Sequence, residues 1–203
     1  MIQFENLKTN YNRTADNLLT ELCKTKEIVA AIADKDLICE PIIITSEELI
    51  SVDSENVEKS LVTRLESLGN KQNCIYIFEL ENENNIEAVK NNFEQKKKDK
   101  KAQKFQYNLP KNNKVDNTKV LYVGSKKDEL QNRLYQHLGI NLGNQNGSTY
   151  ALYLSKWWQK DFPNVKITAY SLQDVSYTQL VFIEDCFSEM LNPLFGKKGS
   201  NSK

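Results

Sequence analysis

The stretch KVLYVGSKKDELQNRLYQHLG, residues 119–139, joins a short apolar run to a turn and then to an amphipathic pattern. The β-branched and aromatic residues of KVLYVGS predict a strand. From about 128 to 138 the spacing predicts a helix, because three leucines four residues apart form one apolar face: Leu130, Leu134 and Leu138. Ser125 and Asp128 have the spacing of a capping box at the start of this helix, and Gly139 suits its end.

Two polar residues of this helix share a second face. Arg133 and His137, the only histidine of the chain, are also four residues apart, one position before the last two leucines of the stripe. They should therefore lie together at the edge of the core, where a side chain can enter a groove. Arginine is a bidentate donor of fixed charge, and imidazole can transfer a proton near neutral pH, so the pair suits a phosphate. On spacing alone, a solvated helix edge is the favoured alternative.

The composition is that of an ordinary globular protein. The 203 residues are 39% hydrophobic and 27% charged, which leaves room for one domain plus an appendage. No apolar run approaches the ~20 residues of a membrane span, and the N-terminus has no pattern of a secretory signal. The four cysteines include no C-x-x-C pair, which argues against a zinc site and a disulfide framework. We therefore expect a cytoplasmic protein with no membrane partner.

Charge is divided unevenly along the chain, although its net value is zero. Residues 1–70 carry 7 Lys and Arg against 13 Asp and Glu, whereas residues 71–203 carry 20 against 14. The second part is therefore better suited to a polyanion. We interpret residues 1–70 as an accessory α/β segment and residues 71–203 as a second domain.

The accessory segment shows helical spacing over 11–34 and a β-branched run in LICEPIIIT. Pro41 places that strand at a sheet edge or a bulge. The stretches SEELI and SENVEKSLVTRLESLG predict a helix that ends at Gly69.

The second domain begins with an apolar strand, NCIYIFEL, followed by a polar insertion at about 81–118. Its first part predicts an amphipathic helix through Ile86, Val89 and Phe93. After the strand KVLYVGS and its helix, TYALYLSKWW predicts a helix capped by Thr149, NVKITAYSL a third strand, and 175–191 a final helix. We expect Trp157 and Trp158, with two nearby tyrosines, to be packing residues and not a stacking platform for bases: Tyr150 and Tyr153.

The final helix places Glu184 within an apolar face formed by Leu180, Phe187 and Leu191. A carboxylate in such a face is costly unless it is paired or bound to a cation. Glu184 is therefore a candidate ligand of Mg²⁺, which often takes one carboxylate together with water and phosphate oxygens. The alternative is an edge position from which Glu184 reaches solvent or a lysine.

Together these residues resemble the motifs of the GIY-YIG nuclease superfamily. CIYIF (74–78) is similar to the GIY element and LYVGS (121–125) to the YIG element, Arg133 and His137 match R-x-x-x-H, and Glu184 and Pro193 match the later helix. The resemblance covers 73–199. It implies an α+β fold with a small, central, three-stranded and mainly antiparallel sheet flanked by helices. The chain departs from the pattern at Cys74, in the long insertion between the two strands, and in lacking the usual asparagine after the proline.

The activity implied by the resemblance is that of a hydrolase, a metal-dependent endonuclease acting on DNA in restriction or defence. Glu184 would hold Mg²⁺ or Mn²⁺, Tyr76 would be the general base, and Tyr122 would orient the nucleophile or the phosphate. Arg133 would neutralise phosphoryl charge, and His137 would hold Tyr76 or the water in place or shuttle the proton.

The expected partner is nucleic acid, taken as double-stranded DNA. The lysines expected to contact its backbone are those of KKKDKK and of the turn before the 128–138 helix: Lys96, Lys97, Lys98, Lys100, Lys101, Lys126 and Lys127. A homodimer, or a protein partner bound through residues 1–70, is a further expectation. The alternatives are a non-catalytic nucleic-acid-binding or interaction module on the same fold, and a nuclease toxin or defence effector.

Overall fold

The computed structural model describes residues 40–52, 59–68, 71–103, 107–116, 118–140, 150–172 and 174–196, with positions 13, 16, 17, 19, 20, 23–27 and 30 before them. From 100 to 103 it describes the backbone only. The described positions before 40 are all helical, in agreement with the helix predicted over 11–34. No helix among the described residues is long and apolar enough to cross a membrane.

A four-stranded antiparallel sheet forms the centre of this mixed α/β structure, and its strand order is β1–β4–β2–β3. The strands are β1 (Ile42–Ile44), β2 (Cys74–Leu80), β3 (Val120–Lys126) and β4 (Val165–Ser171). The prediction of three strands was wrong, because Ile42–Ile44 pairs with β4 from Ile42 opposite Ile167 to Ile44 opposite Val165. Pro41 precedes an edge strand, as expected. The described part of residues 1–70 thus shares one sheet with the rest of the chain.

After residue 40, five α-helices are described, together with a 3-10 turn at Leu154–Lys156: α1 (Ser46–Ser51), α2 (Lys59–Glu66), α3 (Ile86–Gln103), α4 (Leu130–Leu138) and α5 (Tyr177–Leu191). The predicted single helix before Gly69 is two helices, and Gly69 itself lies outside the described residues. The insertion helix is confirmed, with Val89 and Phe93 fully buried.

Both faces of β2 are covered, which explains its unbroken apolar run. Tyr76 and Phe78 belong to a cluster with the leucine stripe of α4. Ile75 and Ile77 belong to a second cluster with α5. Tyr76 therefore lies on the sheet face that carries α4, and burial fixes the register of the strand.

Two local predictions were wrong. No α-helix spans the described part of TYALYLSKWW, residues 150–158: only Leu154–Lys156 is helical there, after Tyr153 in a left-handed conformation (φ 49°), and Tyr150 forms a bridge to Asn108. The predicted cap, Thr149, lies outside the described residues. The capping box of α4 is also absent. Glu129 occupies the cap position without a side-chain bond, and Ser125 still belongs to β3. The predicted end of α4 is confirmed, since Gly139 is left-handed there (φ 87°).

The last part of the insertion is connected to β3 through the segment that follows α5. After α5 the chain lies beside β3, since the amides of Leu194 and Phe195 donate to the carbonyls of Val120 (2.8 Å) and Leu121 (2.9 Å). The insertion lies in turn beside this segment, because the Gly196 amide donates to the Lys111 carbonyl (2.9 Å). The insertion is therefore not a detached appendage at this point.

Candidate active site

Two stacked tyrosines form the base of the site. Tyr76 on β2 pairs with Gly124 on β3, and Tyr122 pairs with Phe78. The Tyr76 and Tyr122 rings lie nearly parallel at 19°, with centroids 6.2 Å apart. A Cβ on Gly124 would lie 2.6 Å from Cζ of Tyr76 and 2.8 Å from Cε1 of Tyr122. Glycine at this position therefore leaves the space that both rings occupy against the backbone.

Arg133 and His137 on α4 converge on the Tyr76 hydroxyl. The Arg133 Nε donates to this oxygen at 3.1 Å, and the His137 Nε2 lies 3.1 Å from it. The other nitrogens of the guanidinium donate to Gln136 Oε1 (2.9 Å) and to the Tyr150 carbonyl (2.7 Å). These three acceptors are neutral oxygens, so the network fixes the orientation of Arg133 without cancelling its charge.

The backbone of Leu152 determines the tautomer of His137. Its amide donates to the His137 Nδ1 at 3.2 Å, so this nitrogen is an acceptor. In a neutral imidazole the proton then resides on Nε2, which donates to the Tyr76 oxygen. With Arg133 donating as well, Tyr76 receives two hydrogen bonds and must direct its own proton elsewhere.

Burial shifts the pKa values of all three groups. It places the pKa of His137 well below the usual 6.5, and the Arg133 charge lowers this pKa further. Burial also raises the pKa of Tyr76, and Arg133 opposes this shift. The Arg133 pKa is lowered by burial but raised more by Tyr76 and Tyr122, and its net shift is upward. His137 is therefore neutral at physiological pH, which favours holding Tyr76 over proton transfer.

Glu184 comes from α5, on the opposite side of the sheet from α4. Its side chain is half-buried, and its Oε2 accepts a hydrogen bond from the Ser125 hydroxyl on β3. This bond orients the carboxylate. No group of three or more His, Cys, Asp or Glu that could hold a metal is found among the described residues. The Glu184 carboxylate beside the Ser125 hydroxyl is a donor set that fits a cation needing one protein carboxylate and keeping water or substrate oxygens, as Mg²⁺ does.

These residues meet in one cleft of about 530 Å³. Its described lining is Tyr76, Pro110, Lys111, Tyr122, Ser125, Arg133, Tyr150, Glu184 and Gly196. Four of the five predicted catalytic residues belong to this lining, and the fifth, His137, lies fully buried behind Tyr76. The cleft thus combines a fixed cation, a carboxylate and phenol groups, which suits an anionic ligand that also binds a metal.

The predicted backbone-binding lysines are not in the lining of this cleft. Lys126 lines a neighbouring cleft of about 390 Å³ that shares Arg133, and Lys127 is exposed. In the lysine run of α3, Lys96 lines a separate cleft and Lys98 is exposed. The Lys97 Nζ donates to the carbonyl of Pro110 at 2.7 Å, and Pro110 forms part of the main cleft wall. The side chains of Lys100 and Lys101 lie outside the described part.

Five lining residues were not predicted as site residues, and two of them carry a charged or an aromatic side chain, Lys111 and Tyr150. Lys111 follows Pro110 in a predicted loop, and no local pattern distinguishes it. Tyr150 was expected to pack, yet its residue is 58% exposed. The packing prediction is confirmed for Trp157, Trp158 and Tyr153, which are all buried.

Comparison of the chain with protein-family models, with curated proteins and with solved structures gives no significant match. The functional conclusion therefore rests on the geometry of the cleft and on the motifs that supply its residues.

Proposed function

We propose that this chain is a metal-dependent endonuclease of the GIY-YIG type that hydrolyses phosphodiester bonds of nucleic acid, with DNA as the first substrate to test. The observation that carries this proposal is the convergence of Tyr76, Arg133 and Glu184 on one cleft from a strand and two different helices. A role in restriction or defence within the cytoplasm, and a homodimer for cutting both strands, belong to the same proposal.

Arg133 supplies the phosphate-binding charge. Its guanidinium is held by three neutral acceptors, and it lies in a partly enclosed cleft where charge is less screened than in water. A positive group fixed in advance stabilises negative charge that develops on phosphoryl oxygens without reorganising. Tyr122, stacked on Tyr76, orients the phosphate or the attacking water through its hydroxyl.

Tyr76 is the proposed general base. The hydrogen bonds from Arg133 and His137 stabilise its phenolate and act against the effect of burial on its pKa. Glu184 is the residue that would hold Mg²⁺ or Mn²⁺, and Ser125 orients its carboxylate. Such an ion supplies positive charge that polarises a phosphoryl oxygen and stabilises the leaving oxygen.

A non-catalytic nucleic-acid-binding or interaction module is the second candidate. The burial of Tyr76, which is 1% exposed, favours it because the raised pKa makes loss of the phenol proton costly. The same cleft would then bind a phosphate through Arg133 without cutting the chain. Cleavage and binding must therefore be measured separately.

The deciding experiment incubates the protein with supercoiled plasmid, single-stranded DNA or RNA, in Mg²⁺, Mn²⁺ or EDTA. Glu184→Gln removes the charge with little change of shape, and Glu189→Gln, at an exposed position of α5, is the matched control. We expect metal-dependent cutting by the native chain and by Glu189→Gln, and none by Glu184→Gln. Binding without cutting of any substrate would support the non-catalytic module. Equal cutting by all three proteins would contradict the role of Glu184.

A further inference from the structure

Two exposed side chains on the rim of the cleft have no part in the chemistry proposed above. Tyr150 is 58% exposed, although it lines the cleft beside Arg133. Lys111 is exposed on the same cleft. An aromatic ring and a lysine at one rim are the two groups that a nucleotide uses, since a base stacks on the ring and a phosphate binds the ammonium.

The backbone at both positions is held by hydrogen bonds to other parts of the chain. The Tyr150 carbonyl accepts the bond from Arg133, and the next amide, that of Ala151, donates to the Asn108 carbonyl at 3.1 Å. The Lys111 carbonyl accepts from the Gly196 amide at 2.9 Å. The backbone of Tyr150 is therefore hydrogen-bonded to the proposed phosphate-binding residue, Arg133. The backbone of Lys111 is hydrogen-bonded to the segment 194–196 beside β3.

The exposure of Tyr150 is selective. Of the large apolar and aromatic side chains that are exposed among the described residues, Tyr150 is the one that lines this cleft. Other exposed aromatic residues, such as Tyr177 at the start of α5, are not part of its described lining. The volume of about 530 Å³ falls in the range of sites for small organic ligands and has room for one nucleotide.

We propose that the rim is a subsite for one unpaired nucleotide next to the phosphate held by Arg133, with Tyr150 stacking on its base and Lys111 contacting its own phosphate. This inference rests on the proposed function and specifies its substrate. A base inside a duplex presents no free face to a side chain, so the nucleotide must come from a single strand or be turned out of a duplex.

The first test measures binding in EDTA, so that cutting plays no part. The probes are a labelled oligothymidine and an oligomer of equal length built from abasic residues, which keeps the phosphates and lacks the bases. Tyr150→Ala should weaken oligothymidine binding about five- to 150-fold and leave abasic binding unchanged. Tyr150→Phe should retain native binding. Tyr177→Ala is the matched control, and equal effects of Tyr150→Ala and Tyr177→Ala would overturn the stacking role.

The second test addresses Lys111 through the salt dependence of binding. Lys111→Ala should lower the slope of log affinity against log salt by about 0.7 for both single-stranded probes, because the variant neutralises one phosphate fewer. Lys114→Ala, three residues further along the same segment, is also exposed and is not in the described lining of the cleft. It should leave the slope unchanged. An unchanged slope for Lys111→Ala would overturn its phosphate contact.

A parallel binding measurement with duplex DNA shows whether the unpaired nucleotide comes from a single strand or from a duplex. Loss of affinity in Tyr150→Ala for the single strand alone supports a single-stranded ligand. Loss for a duplex as well supports a base turned out of the helix, and loss for neither overturns the subsite. If the native chain neither binds nucleic acid in any arm nor cuts it in Mg²⁺ or Mn²⁺, the proposed function itself fails. Native binding with variants that match their controls removes the subsite and leaves the proposed function intact.

Discussion

Helices α3 and α4 both carry positive charge, but in different ways. Residues 96–98 of α3 belong to a run of lysines with side chains at or near the surface. In α4, Arg133 and the neutral His137 take part in a hydrogen-bonded network with the buried Tyr76. The charge of α3 is conspicuous in the sequence, whereas that of α4 is a single arginine. The structure places the single arginine in the cleft.

The difference shows why position matters more than the number of charges. An exposed lysine is surrounded by water and screened by salt within about 10 Å at 0.1 M ionic strength. Arg133 is held by three acceptors beside buried rings, so it loses little freedom on binding an anion and acts through a less polarisable medium. The most effective substitutions should therefore fall in α4, and those in α3 should have small, salt-dependent effects.

Between these two helices, the largest expected effect is that of Arg133. Arg133→Ala should lower kcat/KM for cleavage by about 10²–10³-fold, the usual cost of losing a charge-stabilising donor. Arg133→Lys should restore little of it, because the single nitrogen of an ammonium cannot occupy the three separate positions from which the guanidinium donates to Tyr76, Gln136 and the Tyr150 carbonyl. Single-turnover cleavage, with Lys98→Ala as the control from α3, measures both. Native rates for Arg133→Lys would show that charge alone is sufficient.

The next effect is on stability and comes from His137. The pKa of His137 is depressed in the folded chain, so below about pH 6.5 the unfolded chain binds a proton that the folded chain does not. The contribution of His137 to the free energy of unfolding should thus be fully present above pH 6.5. Below pH 6.5 it should fall by about 1.4 kcal/mol per pH unit, until the pH reaches the pKa of His137 in the folded chain.

His137→Asn tests this effect, because the chain has no other histidine. Denaturant unfolding between pH 5 and 7.5 should give a shallower decline for the variant than for the native chain. At pH 7.5 the variant should be less stable by about 1–3 kcal/mol, since the Leu152 amide loses its acceptor and the Tyr76 hydroxyl loses one of its two donors. Parallel curves for the two proteins would contradict a buried, neutral His137.

The elements beside the site could be predicted because their signals are local. The β-branched runs predicted β2 and β3, and the leucine stripe predicted α4 and its buried face. The spacing of Arg133 and His137 placed both on one side of that helix. The meeting of these residues with Glu184 was an expectation from the family resemblance, since no local pattern relates one helix to another.

The remaining features depend on long-range pairing. The fourth strand is only three residues, Ile42–Ile44, and its partner β4 lies more than a hundred residues further along the chain. Lys111 and Tyr150 reach the cleft through the bridge of Asn108 to Tyr150 and the bond of Gly196 to Lys111. Such contacts have no periodicity, and a single exposed tyrosine has the same sequence signal as a packed one.

The smallest effect should come from the lysine run of α3. If residues 96–98 contact a nucleic-acid backbone, replacing all three lysines by glutamine should lower the salt slope of duplex binding by about 0.9 for each lysine that binds a phosphate. Cleavage at saturating substrate should change little, because these side chains are not in the described lining of the cleft. Titrations of affinity against salt, with the native chain in parallel, measure the slope.

Substitution of Lys97 distinguishes a nucleic-acid contact of α3 from a purely structural role. Its Nζ donates to the Pro110 carbonyl, one residue before Lys111. If the bond only supports the cleft wall, Lys97→Gln alone should cost about 0.5–1.5 kcal/mol of stability and leave the salt slope unchanged. Lys98→Gln, at an exposed position, should then change neither quantity. A lowered slope in Lys98→Gln would instead mean that α3 contacts the nucleic acid. Both helices would then bind it, and they would differ only in how much each contributes.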